Sequence, residues 1–365
     1  MLKRRKRGTP TFLKMANAIT VLVIILATVT AQFDEAKVFH KMLFSFHMPM
    51  FFLLCGLSPL KHRDEGKGGW FNFVRQMALF FVIPYILWAL IYSNFSYKNL
   101  IWVLYGSWNA LEKAQTLTIL WFLPCMFAAR ILLEGILALI PKLPVGKRLS
   151  SLIFAALSLT IGVLLPKIGD LSYPWCLDIA FTATGFMLIG RLIKDVIERI
   201  AKKPVIVLGM FAVSAAALSA GTIFRGEKLE MVLLRSGDYG NLFWFFLNAL
   251  TGCLTVLSLA ALLSRSWKKD VPVINEHEEA GLNRTTMGFF VIHMPLLQQV
   301  ILPLMRLLPF PIPQGVLFLV GLVLTRIISG WIIKVATRYV PQLFGIYPSE
   351  LLSLSDSSEA AKTEG

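Results

Sequence analysis

The sequence predicts an all-α membrane protein, a polytopic bundle of about ten transmembrane helices. Hydrophobic residues make up 56% of its 365 residues, charged residues make up only 16%, and the mean hydropathy is +0.68. Soluble domains usually carry about a quarter charged residues. Apolar runs of about 20 residues, the length that crosses the hydrocarbon core of a bilayer, recur along the chain. An ordinary soluble globular fold is therefore excluded.

Ten apolar segments reach or approach this length. The predicted spans are residues 12–31, 40–59, 73–93, 118–139, 149–166, 174–193, 204–220, 241–264, 284–304 and 314–337. Between them lie turns rich in charge, Pro or Gly. In chain order these are QFDEAK, KHRDEGKGG, the longer stretch 94–117, PKLPVGKR, PKIGDLSYP, KDVIERIAKKP, the stretch 225–240 that begins with RGEKLE, SRSWKKDVPVINEHEEAGLNR and RLLPFPIP. We expect one membrane-embedded unit over 1–345 and a polar cytoplasmic tail over 346–365.

The distribution of basic residues predicts the orientation. The chain has 36 Lys and Arg against 21 Asp and Glu, a formal net charge of +15. If the N-terminus is cytoplasmic, 25 of the 36 lie in cytoplasmic segments and nine lie outside. Basic residues concentrate in cytoplasmic loops, so both termini are predicted to be inside. The same distribution, without a nucleic-acid-binding motif, indicates contact with membrane lipids and no nucleic acid.

The segment 94–117 interleaves Trp102, Tyr105 and Trp108 with polar residues. This pattern is typical of a helix lying in the outer membrane interface. Two interpretations stay open, an aromatic belt that anchors the bundle and a cover over a functional site.

Two histidines lie deep within predicted spans, His47 in the second and His293 in the ninth, each two residues before a proline. Proline lacks an N–H and frees the carbonyl four residues before it, so each imidazole should lie beside a disturbed helix and a free acceptor. In a membrane such a free carbonyl must face protein or a water-filled cavity. An imidazole in a polar cavity of this kind is suited to proton transfer. The alternative is that each imidazole only joins helices by hydrogen bonds. His40 shares a helix face with His47, but no third metal ligand is evident, so no metal is expected.

Five segments together resemble acyltransferase family 3 of bacterial inner-membrane proteins. They are SFHMPMFFLLCGL, RQMALFFVIPY, LWFLPCMFAARIL, DIAFTATGFMLIGRLIK and NRTTMGFFVIHMPLL, and they occur in the family's order. The chain most resembles the branch of fucose 4-O-acetylase-like and exopolysaccharide O-acetyltransferases. The resemblance implies transfer of an acyl group, most simply acetyl from acetyl-CoA as co-substrate, to a sugar hydroxyl of a lipid-linked or exported glycan. No bound cofactor is expected.

The first span departs from the family pattern. Members usually carry a basic residue there and, eleven positions later, a histidine thought to be catalytic. Asn17 and Thr28 occupy these two positions here. A threonine hydroxyl is not a base near neutral pH, whereas an imidazole is. We therefore expect His47 to be the catalytic base, with His293 as a neighbour that orients the donor or shapes the cavity.

Four further residues are candidates for substrate binding. Arg75 could bind CoA phosphates or only mark orientation. Asp178 could bind a sugar hydroxyl or pair with a cation such as Arg326, and its shallow place in the span slightly favours the pairing. Arg326 lies mid-span, which implies a partner or a wet cavity. Trp121 could stack on a sugar ring or belong to an aromatic belt.

Two functions from different classes follow. The favoured one is an integral O-acyltransferase of the bacterial inner membrane. The other is a non-enzymatic protein of glycan assembly or export, either a transporter or an inert family relative within a glycan assembly complex. The replaced first-span histidine favours the inert relative, and the retained His47 and His293 blocks favour the enzyme.

Overall fold

The computed structural model describes residues 11–58, 68–94, 96–168, 172–266, 284–307 and 313–347. Within these ranges the chain is helical and contains no β-strand, so the predicted all-α fold is confirmed. Most of the expected tail, 348–365, lies outside the described residues, as do 59–67 and 267–283 of the expected cytoplasmic loops. The orientation of the bundle stays a prediction.

Ten helices of the described chain are long and apolar enough to cross a membrane, which agrees with the predicted number. We number them α1 Thr11–Thr30, α2 Asp34–Leu57, α3 Gly69–Tyr92, α4 Leu117–Lys142, α5 Lys147–Lys167, α6 Pro174–Ile200, α7 Pro204–Arg225, α8 Leu242–Arg265, α9 Thr286–Arg306 and α10 Gln314–Tyr339. Because most connections are short, consecutive helices run in opposite directions. Odd-numbered helices therefore begin at the end of the bundle where α1 begins, called here the N-terminal end.

The core of the bundle lies around α2 and α6, whose most apolar stretches are 67% buried, against 22% for α10. Small residues bring these two helices together. A Cβ at Gly56 would lie 2.0 Å from the carbonyl oxygen of Met187, and one at Gly190 would lie 2.3 Å from that of Leu53. Close approach at small residues is a usual basis of helix packing in membranes. Any side chain at either glycine would separate α2 from α6.

The two His-Met-Pro sequences differ in structure. The helix Lys37–Leu57 continues through Pro49, whereas the helix Arg284–Pro295 is followed by a π-helical turn over Leu296–Ile301. The carbonyl of Val291, freed by Pro295, accepts a hydrogen bond of 2.6 Å from the Tyr92 hydroxyl. A neighbouring helix thus satisfies the group that the proline leaves without its N–H partner.

The segment predicted as one interfacial helix forms two short helices, Leu100–Tyr105 and Trp108–Glu112, broken at Gly106, whose φ is +63°. Contacts of this segment with the turn before α6 hold it on the bundle. They are Tyr105 Oη to the Ser172 carbonyl at 3.0 Å, Trp175 Nε1 to the Leu104 carbonyl at 3.1 Å, and Ser172 Oγ to Ser107 Oγ at 2.7 Å. The prediction of a single helix was wrong because Gly106 adopts a left-handed conformation that ends the first helix.

The last described residues turn back into the bundle after α10. A 3₁₀ turn over Pro341–Phe344 buries Phe344 completely, and the Trp88 indole N–H donates to the Leu343 carbonyl at 3.0 Å. A Cβ at Gly345 would lie 3.0 Å from the Cα of Phe80. Residues 341–345 are therefore part of the packed bundle.

Candidate active site

The helices α1 and α9 run in parallel and are joined at two levels. The Asn17 Nδ2 donates to Thr286 Oγ1 at 3.2 Å, and Thr28 Oγ1 lies 3.1 Å from His293 Nε2. Eleven residues are about three helical turns, so Asn17 and Thr28 lie on the same face of α1. That face is turned towards α9. The two positions at which the chain departs from the family pattern thus both contact the helix that carries His293.

The ring of His293 has a defined hydrogen-bonding arrangement. Its Nδ1 bonds the carbonyl of Phe289, one helical turn earlier. A carbonyl only accepts hydrogen bonds, so Nδ1 carries the proton and Nε2 of the neutral ring carries the lone pair. That lone pair faces the hydroxyl of Thr28. The same hydroxyl lies 3.1 Å from the Ile24 carbonyl, so its single proton has two acceptors.

His47 shows the same arrangement on α2. Its Nδ1 lies 3.0 Å from the Leu43 carbonyl, also one turn earlier. The neutral ring therefore has its lone pair on Nε2 as well. His47 is 9% exposed and His293 is 2% exposed. Each ring is oriented by backbone of its own helix, and each keeps its basic nitrogen available.

Both imidazoles line one cavity of about 80 Å³ in the half of the bundle away from the N-terminal end. Its walls come from α1, α2, the start of α4, α9 and the loop between α7 and α8. The lining residues include Thr28, His47, Met48, Ile119, Trp121, Leu234, Arg235, Phe290, His293 and Met294. The structure therefore brings together the two predicted catalytic histidines, Trp121 and Thr28.

Arg235 is a cavity residue that the sequence analysis missed. Its guanidinium lies over the Trp108 ring, 4.3 Å from the centroid, and its buried Nε donates no hydrogen bond within the described part of the chain. Burial lowers the pKa of Arg235, and the nearby Glu112 carboxylate opposes this shift. The sequence did contain a signal for it, because Arg235 is a basic residue in an expected outer loop, whereas most basic residues lie in expected cytoplasmic segments.

Stacked aromatic rings connect the cavity, which Phe290 lines, to the core of the bundle. The rings of Phe122 and Phe290 are parallel with centroids 4.1 Å apart, and Phe51 meets both edge-on. Trp121 precedes Phe122 and is 7% exposed. Because these three rings come from α2, α4 and α9, their contacts hold the three helices at a fixed spacing around the two imidazoles.

Asp178 and Arg326 do not form the ion pair that the sequence analysis favoured. Asp178 is buried in the first turn of the α-helical part of α6, Leu177–Ile200, where a carboxylate interacts favourably with the helix dipole. Arg326 is exposed on α10. The guanidinium of Arg326 lies 4.5 Å from the centroid of the Phe289 ring. Neither residue lines the histidine cavity. Arg326 therefore has an aromatic neighbour where an acidic partner or a wet cavity was expected.

A second and larger cavity, of about 710 Å³, lies at the N-terminal end of the bundle. The end of α4, the start of α5 and the last turns of α6 surround it, and four of its lining residues are basic: Lys142, Lys147, Arg148 and Arg191. Glu134 and Asp195 also line it. Arg75, a candidate phosphate ligand from the sequence, is half-buried in α3 and is not among the lining residues.

No metal centre is evident within the described ranges, where no three His, Cys, Asp or Glu side chains cluster. His40 instead joins α2 to α1, with Nδ1 3.0 Å from the Ala27 carbonyl and 3.1 Å from Thr30 Oγ1. His40 therefore stabilises the contact between two helices.

Comparison with known proteins gave one match. Residues 14–334 match the family model Acyl_transf_3, described as an acyltransferase domain. No curated protein and no solved structure matches the chain. The matched region includes all the residues that line the two cavities.

Proposed function

Because this chain belongs to the acyltransferase family 3 and spans the membrane, we propose that it is an integral O-acyltransferase of a bacterial inner membrane. It transfers acetyl from acetyl-CoA to a sugar hydroxyl of a surface glycan, such as an exopolysaccharide or its lipid-linked intermediate. The branch, the donor and the acceptor are parts of this proposal.

The observation that carries the proposal is the meeting of two imidazoles in one cavity. Transfer to a sugar hydroxyl needs a base within about 3 Å of the hydroxyl, and a neutral imidazole with a free Nε2 can serve. The carbonyls of Leu43 and Phe289 leave Nε2 as the basic nitrogen of His47 and His293. The shared cavity thus holds two side chains that can supply the base for this transfer.

The cavity at the N-terminal end supports an anionic donor. Its four basic side chains lie in the segments 140–149 and 190–203, which the charge distribution predicts to be cytoplasmic. Such clustering raises the local concentration of an anion such as a CoA ester. Trp121 and Pro141 lie near opposite ends of α4, about 30 Å apart at 1.5 Å per residue. The phosphates of CoA would bind in the basic cavity at the N-terminal end, and the thioester would extend towards the half that contains the histidine cavity.

The histidine cavity supports an acceptor that carries hydroxyl groups. Trp121 offers an apolar ring face suited to a sugar, and Arg235 offers an Nε donor without a partner in the described chain. The helices Leu100–Tyr105 and Trp108–Glu112 lie over this end, and Trp108 supports the guanidinium of Arg235. Of the two interpretations of this segment, these contacts favour a cover over the site.

The proposal is tested with the purified protein in lipid nanodiscs, using radiolabelled acetyl-CoA and glycolipid from the native membrane. We expect label in the glycolipid with the wild-type protein and none with a His47→Gln, His293→Gln double variant. A His40→Gln variant, altered outside the cavity, is the matched control and should retain transfer. Label transfer by the double variant would contradict the assignment of the site.

The inert relative is a second candidate because Asn17 and Thr28 replace the family's usual basic residue and histidine. The two proposals differ in one measurement. An inert relative neither releases CoA from acetyl-CoA nor changes the acetylation of the glycan, although it could still be required for assembly of the glycan.

A further inference from the structure

We propose that Thr28 is the nucleophile of this site and carries the acyl group as an ester between donor and acceptor. This inference rests on the proposed acyltransferase function and deepens it. Thr28 would then have a different role from a histidine base at the same position, because a hydroxyl that cannot act as a base can still be acylated.

The geometry is that of an activated nucleophile. Thr28 Oγ1 lies 3.1 Å from His293 Nε2, and the Phe289 carbonyl binds Nδ1 of the same ring. A hydroxyl, an imidazole and an acceptor that orients the imidazole are the three parts required. The acceptor here is a neutral carbonyl, which fixes the tautomer that leaves Nε2 free to take the proton.

Two further features of Thr28 fit this role. Thr28 lines the cavity and is half-buried, so the cavity gives a reacting carbon a way to approach this residue. Its proton is shared between the Ile24 carbonyl and His293 Nε2, both at 3.1 Å. The comparison with Thr20 on the same helix is informative, because Thr20 is fully buried and donates only to the Ala16 carbonyl.

In the first step Oγ1 of Thr28 attacks the thioester carbon and His293 Nε2 takes the hydroxyl proton. The carbon–sulfur bond breaks, and CoA leaves as a thiolate that takes a proton from water. The products are acyl-Thr28, CoA as the free thiol, an imidazolium at His293 and the hydroxide left from water. The guanidinium of Arg235 is the cationic donor in the cavity wall that can stabilise the developing oxyanion.

In the second step the sugar hydroxyl attacks the carbonyl carbon of acyl-Thr28. His47 takes the proton of the sugar hydroxyl, and the Thr28 oxygen leaves with the proton held by His293. His47 then returns its proton to water, which balances the proton that the thiolate took. The two imidazoles thus have separate tasks, His293 towards Thr28 and His47 towards the acceptor.

The test is an exchange reaction that needs no acceptor. Purified protein in nanodiscs receives acetyl-CoA and isotopically labelled free CoA, and label in acetyl-CoA is measured. An acyl-enzyme makes this exchange possible, whereas direct transfer does not. We expect exchange by the wild-type protein and by Thr28→Ser, and a loss on the order of 10⁴-fold or more in Thr28→Val. The matched control Thr20→Val should exchange at the wild-type rate.

The histidine variants separate the two steps. His293→Gln should abolish exchange, whereas His47→Gln should retain exchange, lose transfer to the glycolipid, and accumulate acetyl on Thr28 in a peptide mass spectrum. Exchange by Thr28→Val at the wild-type rate would overturn the inference. Transfer to glycolipid by a wild-type protein that shows no exchange would also overturn it while leaving the proposed function standing. Absence of both reactions in the wild-type protein would overturn both proposals.

Discussion

At the scale of single residues, the site consists of polar groups that the backbone holds in defined orientations. The carbonyls of Leu43 and Phe289 orient the two rings, and Trp108 supports the guanidinium of Arg235. A charged group in a poorly solvated cavity interacts strongly with a developing negative charge. Arg235 is therefore the residue whose role is most sharply testable by a conservative change.

We expect Arg235→Lys to lower kcat/KM for acyl transfer by roughly 10²–10³-fold, the usual loss when one oxyanion donor is removed. Lysine keeps the charge but loses the planar group that stacks on Trp108 and the Nε donor. The matched control is Arg225→Lys, which changes an arginine that also lies over a tryptophan, Trp244, outside the histidine cavity. Equal activity of Arg235→Lys and the wild type in a coupled CoA-release assay would exclude this role.

How far the site could be predicted differs among its residues. His47, His293 and Trp121 could be singled out from the sequence because they lie in recognisable blocks, but that all three line one cavity is known only from the structure. The contact between Thr28 and His293 could not be predicted, because it joins residues 265 positions apart through the packing of α1 on α9. His47 lines the same cavity as Thr28, and the hydroxyl of Thr28 is in direct contact with His293.

At the scale of elements, two of the long helices are interrupted by π-helical turns. The π-helical turn after Pro295 and the one over Ala78–Val82 in α3 alter helix geometry near the core. Such turns occur frequently at functional sites. The proline spacing predicted a free carbonyl at Val291, but its partner, Tyr92, lies on another helix, so the local sequence carries no signal for it.

Tyr92→Phe removes the hydroxyl that bonds the Val291 carbonyl. We expect a loss of stability of about 1 kcal/mol, the scale measured for interhelical hydrogen bonds in membranes. The thermal midpoint in detergent should fall while the KM for acetyl-CoA is unchanged. Tyr97→Phe, at a residue that is 83% exposed, is the control and should leave the midpoint unaltered. An unchanged midpoint in Tyr92→Phe would mean that water or another donor satisfies the carbonyl.

The basic cavity at the N-terminal end tests the donor proposal. We expect Lys147→Ala combined with Arg148→Ala to raise the KM for acetyl-CoA several-fold with little effect on kcat, and to weaken its dependence on salt. Lys167→Ala combined with Lys228→Ala, both at the other end of the bundle, is the control for the loss of two positive charges. Arg75→Ala is expected to have a smaller effect, because Arg75 does not line this cavity. A larger effect at Arg75 would place the phosphates against α3.

At the scale of the whole molecule, composition predicted the fold better than local pattern predicted its details. Ten apolar runs gave ten spans because the bilayer thickness sets helix length almost independently of side-chain detail. The pairing expected between Asp178 and Arg326 failed because depth along a helix does not reveal which face a residue occupies. Arg326 is on the exposed face of α10.

An even number of spans and the charge bias predict that both termini are cytoplasmic. A reporter that is active only outside the cytoplasm, fused after residue 365, should be inactive. The same reporter inserted in the loop after α7, near Lys228, should be active. Fusion at residue 345 is avoided because Gly345 packs against Phe80. Activity of the terminal fusion would require an odd number of spans or the reverse orientation.

The central claim, that the histidine cavity acylates a surface glycan, is tested most directly by NMR of that glycan from a deletion strain. Complementation with the wild-type gene should restore O-acetyl signals, and complementation with the His47→Gln, His293→Gln double variant, at equal membrane abundance, should not. The His40→Gln control should restore them. O-acetyl signals of wild-type intensity with the double variant, or in the deletion strain itself, would contradict the claim.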